Sequence, residues 1–192
     1  DMALTTEEFM ELTADCPVIP AAKNDEWLEA CLASESKLVY VLYGDICNIA
    51  DIVKKLKEKD KKVIVHIDLI EGLTSKEICV DFIKKYTMAD GIISLKPTMI
   101  KRAKDLGIFT IQRFYMMDGR SYTNIVKHVR HTNPEVVEFM PAGLTKLIPY
   151  LVHEVDKPVV ASGLIQDKED VMGALKAGAM AVSSTNRKVW DC

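Results

Sequence analysis

Ala161-Ser162-Gly163-Leu164-Ile165 and, beyond Ala177-Gly178-Ala179, Ala181-Val182-Ser183-Ser184-Thr185 are the stretches that decide the fold. Each reads as a short buried strand ending in small or hydroxylated residues, with a capped helix and a glycine stop between the two. Two adjacent strand ends of this kind offer backbone N–H groups, no bulky Cβ at Gly163, and three hydroxyls at Ser183, Ser184 and Thr185. Together they can hold a phosphate dianion. In barrels of alternating strands and helices, the loops after strands 7 and 8 are its usual seat. The phosphate-binding set is therefore Ser162, Gly163, Leu164, Ser183, Ser184 and Thr185. The plainer reading is two packed strands with small residues at a tight turn. The place of these runs in the chain favours phosphate.

Working outward, strand and helix signals alternate eight times. The strand runs are Pro17–Ala22, Leu38–Tyr43, Val63–Leu69, Gly91–Lys96, Phe109–Tyr115, Val136–Met140, Pro158–Ser162 and Ala181–Thr185. Most are nearly continuous apolar runs, as parallel strands buried on both faces require. Between them the apolar spacing is helical. Asn48 is placed to cap a helix whose Ile49, Ile52, Val53 and Leu56 share a face, and Tyr122, Ile125, Val126 and Val129 repeat the pattern. Thr74 with Glu77 reads as a capping box ahead of Ile78 and Phe82, and Gly107 and Gly178 sit where helices should stop. Each interval is one minimal βα unit, and eight such units close a (β/α)8, TIM-barrel-like structure rather than an open sheet. An open doubly wound sheet is the second choice. Residues 5–13 read as an extra helix plugging the barrel's N-terminal end, and the few residues after Thr185 leave room only for a shortened last helix. No Ser-, Gly- or Pro-rich linker breaks the alternation, so residues 1–192 read as one domain.

Composition supports this. The 192 residues are 48% hydrophobic, ample for one core. No run approaches the ~18 apolar residues of a membrane helix, and the acidic start lacks the basic region of a signal peptide, so a membrane partner is not expected. Five scattered cysteines, Cys16, Cys31, Cys47, Cys79 and Cys192, form no CxxC pair and fit a reducing cytoplasm as small hydrophobes. Neither they nor the histidines have metal-ligand spacing, and no cofactor is expected.

The strand ends are polar. Strand 3 ends in His66-Ile67-Asp68, with both polar residues on one face by the period of two. Strand 4 contributes Ser94 and Lys96, strand 5 Gln112 and Arg113, and strand 6 Glu138. Any one of these is more often a solvated rim residue than a functional one. Their concentration at one end of successive strands marks a mouth suited to a small, anionic, hydroxylated ligand. The ligand-binding set is His66, Asp68, Lys96, Gln112, Arg113 and Glu138, and no residue is assigned a catalytic role.

These segments are familiar. His66-Ile67-Asp68-Leu69-Ile70-Glu71-Gly72-Leu73, Asp90-Gly91-Ile92-Ile93-Ser94, Thr110-Ile111-Gln112-Arg113, Val137-Glu138-Phe139-Met140-Pro141-Ala142-Gly143 and Ala161–Ile165 closely resemble the glycerol uptake operon antiterminator family. The resemblance runs from about Val18 to Trp190. It implies a TIM-barrel-like fold, binding of glycerol 3-phosphate, and control of transcription termination through a leader mRNA. The family commonly has Gly-Gly where this chain has Ser162-Gly163, and Ser-Thr-Ser-Asn where it has Ser183-Ser184-Thr185-Asn186. Both departures keep small, hydroxylated residues.

Charge speaks less directly to RNA. The formal net charge is −3, but residues 1–36 hold nine acids and one base, while residues 37–131 hold eighteen bases and eleven acids. The basic clusters (Lys54 to Lys62, Lys84-Lys85, Lys101 to Lys104, Lys127 to His131) fall on or beside successive outer helices. Solvated helix faces carry such lysines as often as nucleic-acid surfaces do, and few aromatics are interleaved with them. Three functions follow: a phosphate-ligand sensor acting on RNA; an isomerase or lyase on a small phosphorylated metabolite, with Lys96 as Schiff-base or oxyanion residue and Asp68 or Glu138 as base; and a binding module with a protein output. A homo-oligomer is compatible with each.

Overall fold

The computed structural model describes residues 3–191. Its elements run α1 (Thr6–Asp15), β1 (Val18–Ala22), α2 (Asp25–Ala33), β2 (Leu38–Val41), α3 (Ile49–Lys57), β3 (Lys62–His66), α4 (Ile78–Tyr86), β4 (Gly91–Ser94) and α5 (Pro97–Asp105). There follow β5 (Phe109–Tyr115), α6 (Gly119–Thr132), β6 (Val136–Met140), α7 (Ile148–Val155), β7 (Val159–Ser162), α8 (Lys168–Ala177) and β8 (Ala181–Ser184). All eight strands are parallel and each pairs with its neighbours in chain order, β8 returning to β1, so the sheet is a closed barrel. Short 3₁₀ turns at Ile67–Leu69 and Arg187–Val189 complete the chain, the second standing where an eighth outer helix would lie.

The period of two along each strand divides the apolar residues into two layers. One layer, which includes Ile19, Tyr40, Ile64, Ile93, Phe109 and Val136, fills the barrel. The other joins the outer strand faces to the helices, with Val39, Val65, Ile92 and Val137 against residues such as Ile52 and Leu151. Helix α1 closes the N-terminal end as expected. Its fully buried Phe9 stacks on Phe109 with ring centroids 5.4 Å apart, and Leu4 joins the same interior cluster.

Two helix starts differ from the sequence reading. Asn48 precedes α3 but caps nothing, because its Oδ1 accepts from the Asp45 backbone N–H at 2.8 Å. Glu77 already has helical backbone angles and makes no capping bond, and Thr74 Oγ1 accepts from Lys76 N at 3.4 Å, so the capping box is absent. Ile78 consequently faces solvent, while Cys79, Val80 and Ile83 make the buried face of α4. Gly107 and Gly178 do stand at helix stops, with φ of +73° and +119°. Cys31, Cys47 and Cys79 are free thiols, whereas Cys16 is disulfide-bonded, which corrects the reading of all five as isolated thiols. Among the described residues no helix is long and apolar enough to cross a membrane, and no cluster of His, Cys, Asp or Glu could hold a metal ion.

Candidate functional site

The C-terminal ends of β7 and β8 lie side by side, with Ser162 in register with Ser183. At the end of β7 the backbone turns through two consecutive left-handed residues, Gly163 at φ +83° and Leu164 at φ +56°. Leucine adopts this region at a cost of about 1–2 kcal/mol, so surrounding structure must hold it there. Among the described residues, the Gly163 and Leu164 N–H groups donate to no other backbone group. After β8, Asn186 ties the two loops together, its Nδ2 donating to the Ile165 and Gln166 carbonyls at 3.1 and 2.9 Å. Two indoles brace the same turn from outside. Trp27 Nε1 on α2 donates to the Thr185 carbonyl at 2.7 Å, and Trp190 Nε1 donates to the Ser184 carbonyl at 2.8 Å.

These loops border a cavity of about 280 Å3 lined by Ser162, Gly163, Leu164, Ser183, Ser184 and Thr185, together with Arg113 from β5. Ala21, Leu42 and Met140 form its apolar side. Ser162 Oγ is buried, with no hydrogen-bond partner among the described residues. An unpaired buried hydroxyl costs about 1–3 kcal/mol, a deficit that a ligand oxygen could remove. Arg113 enters from the inward face of β5 and its Nε donates to Glu138 Oε2 at 2.5 Å. Glu138 is fully buried, and its other oxygen accepts from Ser183 Oγ at 3.1 Å. Burial works against the Arg113 charge, but the adjoining Glu138 carboxylate raises the guanidinium pKa above its ordinary value. Arg113 is thus a fixed cation at the cavity wall.

The remaining mouth residues fall outside that cavity. His66, at the end of β3, is buried, and its Nδ1 has no partner among the described residues. Burial first, and then the Arg113 charge, lower its pKa from 6.5 to about 4, so the ring is neutral near pH 7. Asp68 lies not on the strand but on the 3₁₀ turn that replaces the strand's expected end, and it accepts from Ser94 Oγ at 2.7 Å and Leu95 N at 2.8 Å. Lys96, just before α5, donates to Ser75 Oγ at 2.6 Å. Gln112 is the correction. It alternates with inward-facing Arg113, points into the outer layer, and accepts from Thr132 Oγ1 of α6 at 2.5 Å. The sequence reading named both neighbours on β5, and strand geometry admits only one to the mouth.

Sequence reasoning did not single out Trp27, Trp190, Asn186 or Tyr40. Tyr40 is fully buried inside the barrel, where burial and the nearby Glu138 carboxylate push its phenol well above the ordinary pKa. Asn186 immediately follows the hydroxyl run and was within reach of the same reading. Trp27 lies 158 residues from its partner and left no local signal.

Comparison with known proteins gives a consistent result. The family model described as glycerol-3-phosphate responsive antiterminator matches residues 18–190. A curated relative, the uncharacterized protein YgcP of Escherichia coli K12, is 40% identical over 182 residues, covering 95% of each chain. The crystal structure of a glycerol uptake operon antiterminator regulatory protein from Listeria monocytogenes superposes with a TM-score of 0.87 at 30% identity, over 90% of this chain and 94% of that one. A glycerol uptake operon antiterminator-related protein from Thermotoga maritima gives 0.81 at 28% identity, over 91% and 98%. By its matched length and its fold, this chain belongs to the glycerol-3-phosphate responsive antiterminator family.

Proposed function

We propose that the chain senses glycerol 3-phosphate and controls transcription termination through a leader mRNA. In this reading the phosphate sits between the Gly163–Leu164 turn and Ser183–Thr185, opposite the Arg113 guanidinium. The observation that carries it is the meeting of a buried, unpartnered Ser162 hydroxyl with a fixed cation in one small cavity. A dianion needs donors and positive charge that are already in place, and the cavity wall offers both. His66, Asp68 and Lys96 border the adjoining side of the mouth, where ligand hydroxyls would find neutral or carboxylate acceptors.

Binding rather than turnover is favoured by how the charged groups are already engaged. Both Glu138 oxygens are hydrogen-bonded, Asp68 accepts from Ser94 and Leu95, and the Lys96 ammonium donates to Ser75. Each carboxylate keeps lone pairs that can accept from a ligand hydroxyl, but its position is set by bonds inside the protein. The isomerase or lyase alternative is tested by turnover of phosphorylated trioses and pentoses with the same protein.

Thermal denaturation against a panel of phosphorylated metabolites tests the ligand. A compound present at 100 times its Kd stabilises the fold by about 2.7 kcal/mol, a readily measured shift in midpoint. Glycerol 3-phosphate should give the largest shift, and an equal shift from every phosphate ester would reduce the site to a generic anion pocket. A gel-shift titration with cognate leader RNA at low salt, with and without glycerol 3-phosphate, tests the output. Loss of RNA binding under both conditions would remove that half of the reading.

A further inference from the structure

The bases that the sequence places on an outer arc are mostly engaged within the fold. Lys57 pairs with Asp90 at 2.8 Å, Arg102 with Asp81 at 2.6 Å, and Lys104 with Glu135 at 2.9 Å. Lys61 is buried and donates to the Ser34 and Ser36 carbonyls at 2.7 and 2.6 Å. Lys101 is engaged with His131, and Lys62 lies 3.6 Å from Glu8. By contrast, Lys54, Lys55, Lys59 and Lys85 are exposed and make no ion pair among the described residues. All four lie at or just beyond the C-terminal ends of α3 and α4, at the barrel's N-terminal face. A continuous basic arc is therefore the wrong picture.

The same face carries a groove of about 710 Å3, between the residues leading into α1 and the ends of α3 and α4. Lys54, Lys57, Lys62 and Lys84 stand along it with the acids Glu58 and Asp90, Asp90 being paired with Lys57 and the Lys84 ammonium donating to the Leu106 carbonyl, and Leu4 and Ile108 form a buried apolar floor. Met88 lines it at 57% exposure, while Lys85 and Tyr86, the chain neighbours of the lining Lys84, are exposed outside that lining, Tyr86 at 59%. The Lys85 ammonium lies over the Tyr86 ring, 5.4 Å from its centroid.

We infer that this groove binds a single-stranded segment of RNA, an inference that rests on the RNA half of the proposed function. Lys54 in the lining and Lys85 just outside it match the phosphodiester charge, while Met88 and the floor, with Tyr86 next to Lys85, offer surface to unstacked bases. A duplex hides its bases in the stack and would gain nothing from that floor. The groove lies at the opposite end of the barrel from the phosphate cavity, so RNA and metabolite can be held at the same time.

The test is fluorescence anisotropy of the whole protein with a labelled twelve-nucleotide, mixed-sequence single-stranded RNA, beside a fully paired hairpin of the same composition. The double variant Lys54→Glu/Lys85→Glu should raise the single-strand Kd about tenfold or more. It should also flatten the log–log salt dependence by about 1.4, because two contacts at roughly 0.7 each are lost. Tyr86→Ala should weaken binding and leave the salt slope nearly unchanged. Lys127→Glu/Lys176→Glu, a reversal of two exposed lysines on α6 and α8, should have little effect. All of these positions are exposed, and an unaltered stabilisation by glycerol 3-phosphate verifies each variant's fold. If wild type binds RNA, and the Lys54/Lys85 variant binds equally well, the RNA reading stands and the groove is overturned. Equal affinity for the hairpin, unaffected by Tyr86→Ala, also overturns it. If wild type binds neither these probes nor cognate leader RNA at low salt, the RNA reading itself fails and takes the groove with it.

Discussion

Arg113 Nε lies 2.5 Å from Glu138 Oε2, a buried ion pair joining β5 to β6 at the edge of the cavity between the ends of β7 and β8. The pair sets the site's charge. Glu138 fixes the guanidinium at the wall, and Ser183 fixes Glu138 through a bond of 3.1 Å from the last strand. Strands β5, β6 and β8 are thereby locked in one arrangement around the cavity.

Removing one partner of such a pair strands the other charge in a poorly solvated place. Glu138→Leu should destabilise the fold by about 3–5 kcal/mol, whereas Arg113→Met/Glu138→Leu should recover most of that loss. Urea denaturation of the two variants checks this. Equal losses in the single and double variants would show that the pair's electrostatics are not the cause.

The turn after β7 makes a second prediction. A Cβ at Gly163 would stand 2.8 Å from the Met140 methyl carbon, and the residue's φ of +83° disfavours any side chain. Gly163→Val should weaken glycerol 3-phosphate binding more than tenfold, by about 1.4 kcal/mol or more, with the barrel intact. Leu164 shares the left-handed backbone but is 82% exposed, so its side chain contributes little packing. Leu164→Gly should therefore leave the melting temperature unchanged or raise it, because relief of strain offsets the added freedom of glycine. Calorimetry and thermal melts of the two variants separate binding from stability.

The barrel was legible because its strands are buried on both faces and so appear as short continuous apolar runs, such as Val136–Met140 and Phe109–Tyr115. Two helix starts were misread because local side chains compete: Asn48 turns back to Asp45, and Thr74 is bonded to Lys76. In the site, the residues now lining the cavity could be named because small and hydroxylated types cluster at two strand ends. Gln112 was misplaced because adjacency in sequence does not mean a shared face in a strand. The strand read through Asp68 ends at His66, where a 3₁₀ turn takes over and the period of two no longer holds. Trp27 was invisible for a different reason, since the bond it makes exists only after closure brings α2 beside the end of β8.

His66 supplies a pH dependence. The folded chain holds the ring neutral, with a pKa lowered to about 4, whereas the unfolded chain protonates it near 6.5. The contribution of neutral His66 is therefore fully present above about pH 6.5 and declines as the pH falls toward 4, by at most about 1.4 kcal/mol per unit. Between pH 6.5 and 5 carboxylates of ordinary pKa remain ionised, so that interval isolates the histidine. His66→Asn should flatten the urea-derived stability profile there. A slope identical to the parent's would mean that another group titrates.

Trp27 and Trp190 are the only tryptophans in the chain, and their indole N–H groups donate to consecutive carbonyls, those of Thr185 and Ser184. These carbonyls belong to the turn that would face the phosphate, so occupation of the cavity should reach both indoles directly. Titration with glycerol 3-phosphate should change the intrinsic tryptophan emission along the same saturation curve that calorimetry gives. Trp27 is also half-buried, with the Lys23 ammonium and the Arg187 guanidinium at 4.4 and 5.2 Å from its ring, so the ring is held as well as bonded. Trp27→Phe keeps an aromatic ring near those cations and deletes the bond to Thr185. A hydrogen bond of this kind contributes about 0.5–1.5 kcal/mol, and the variant should lose that much stability. If the Thr185 turn is part of the phosphate seat, ligand affinity should fall with it, and the remaining emission change should come from Trp190 alone. An emission spectrum unmoved by saturating ligand in the parent protein would place the phosphate away from β8.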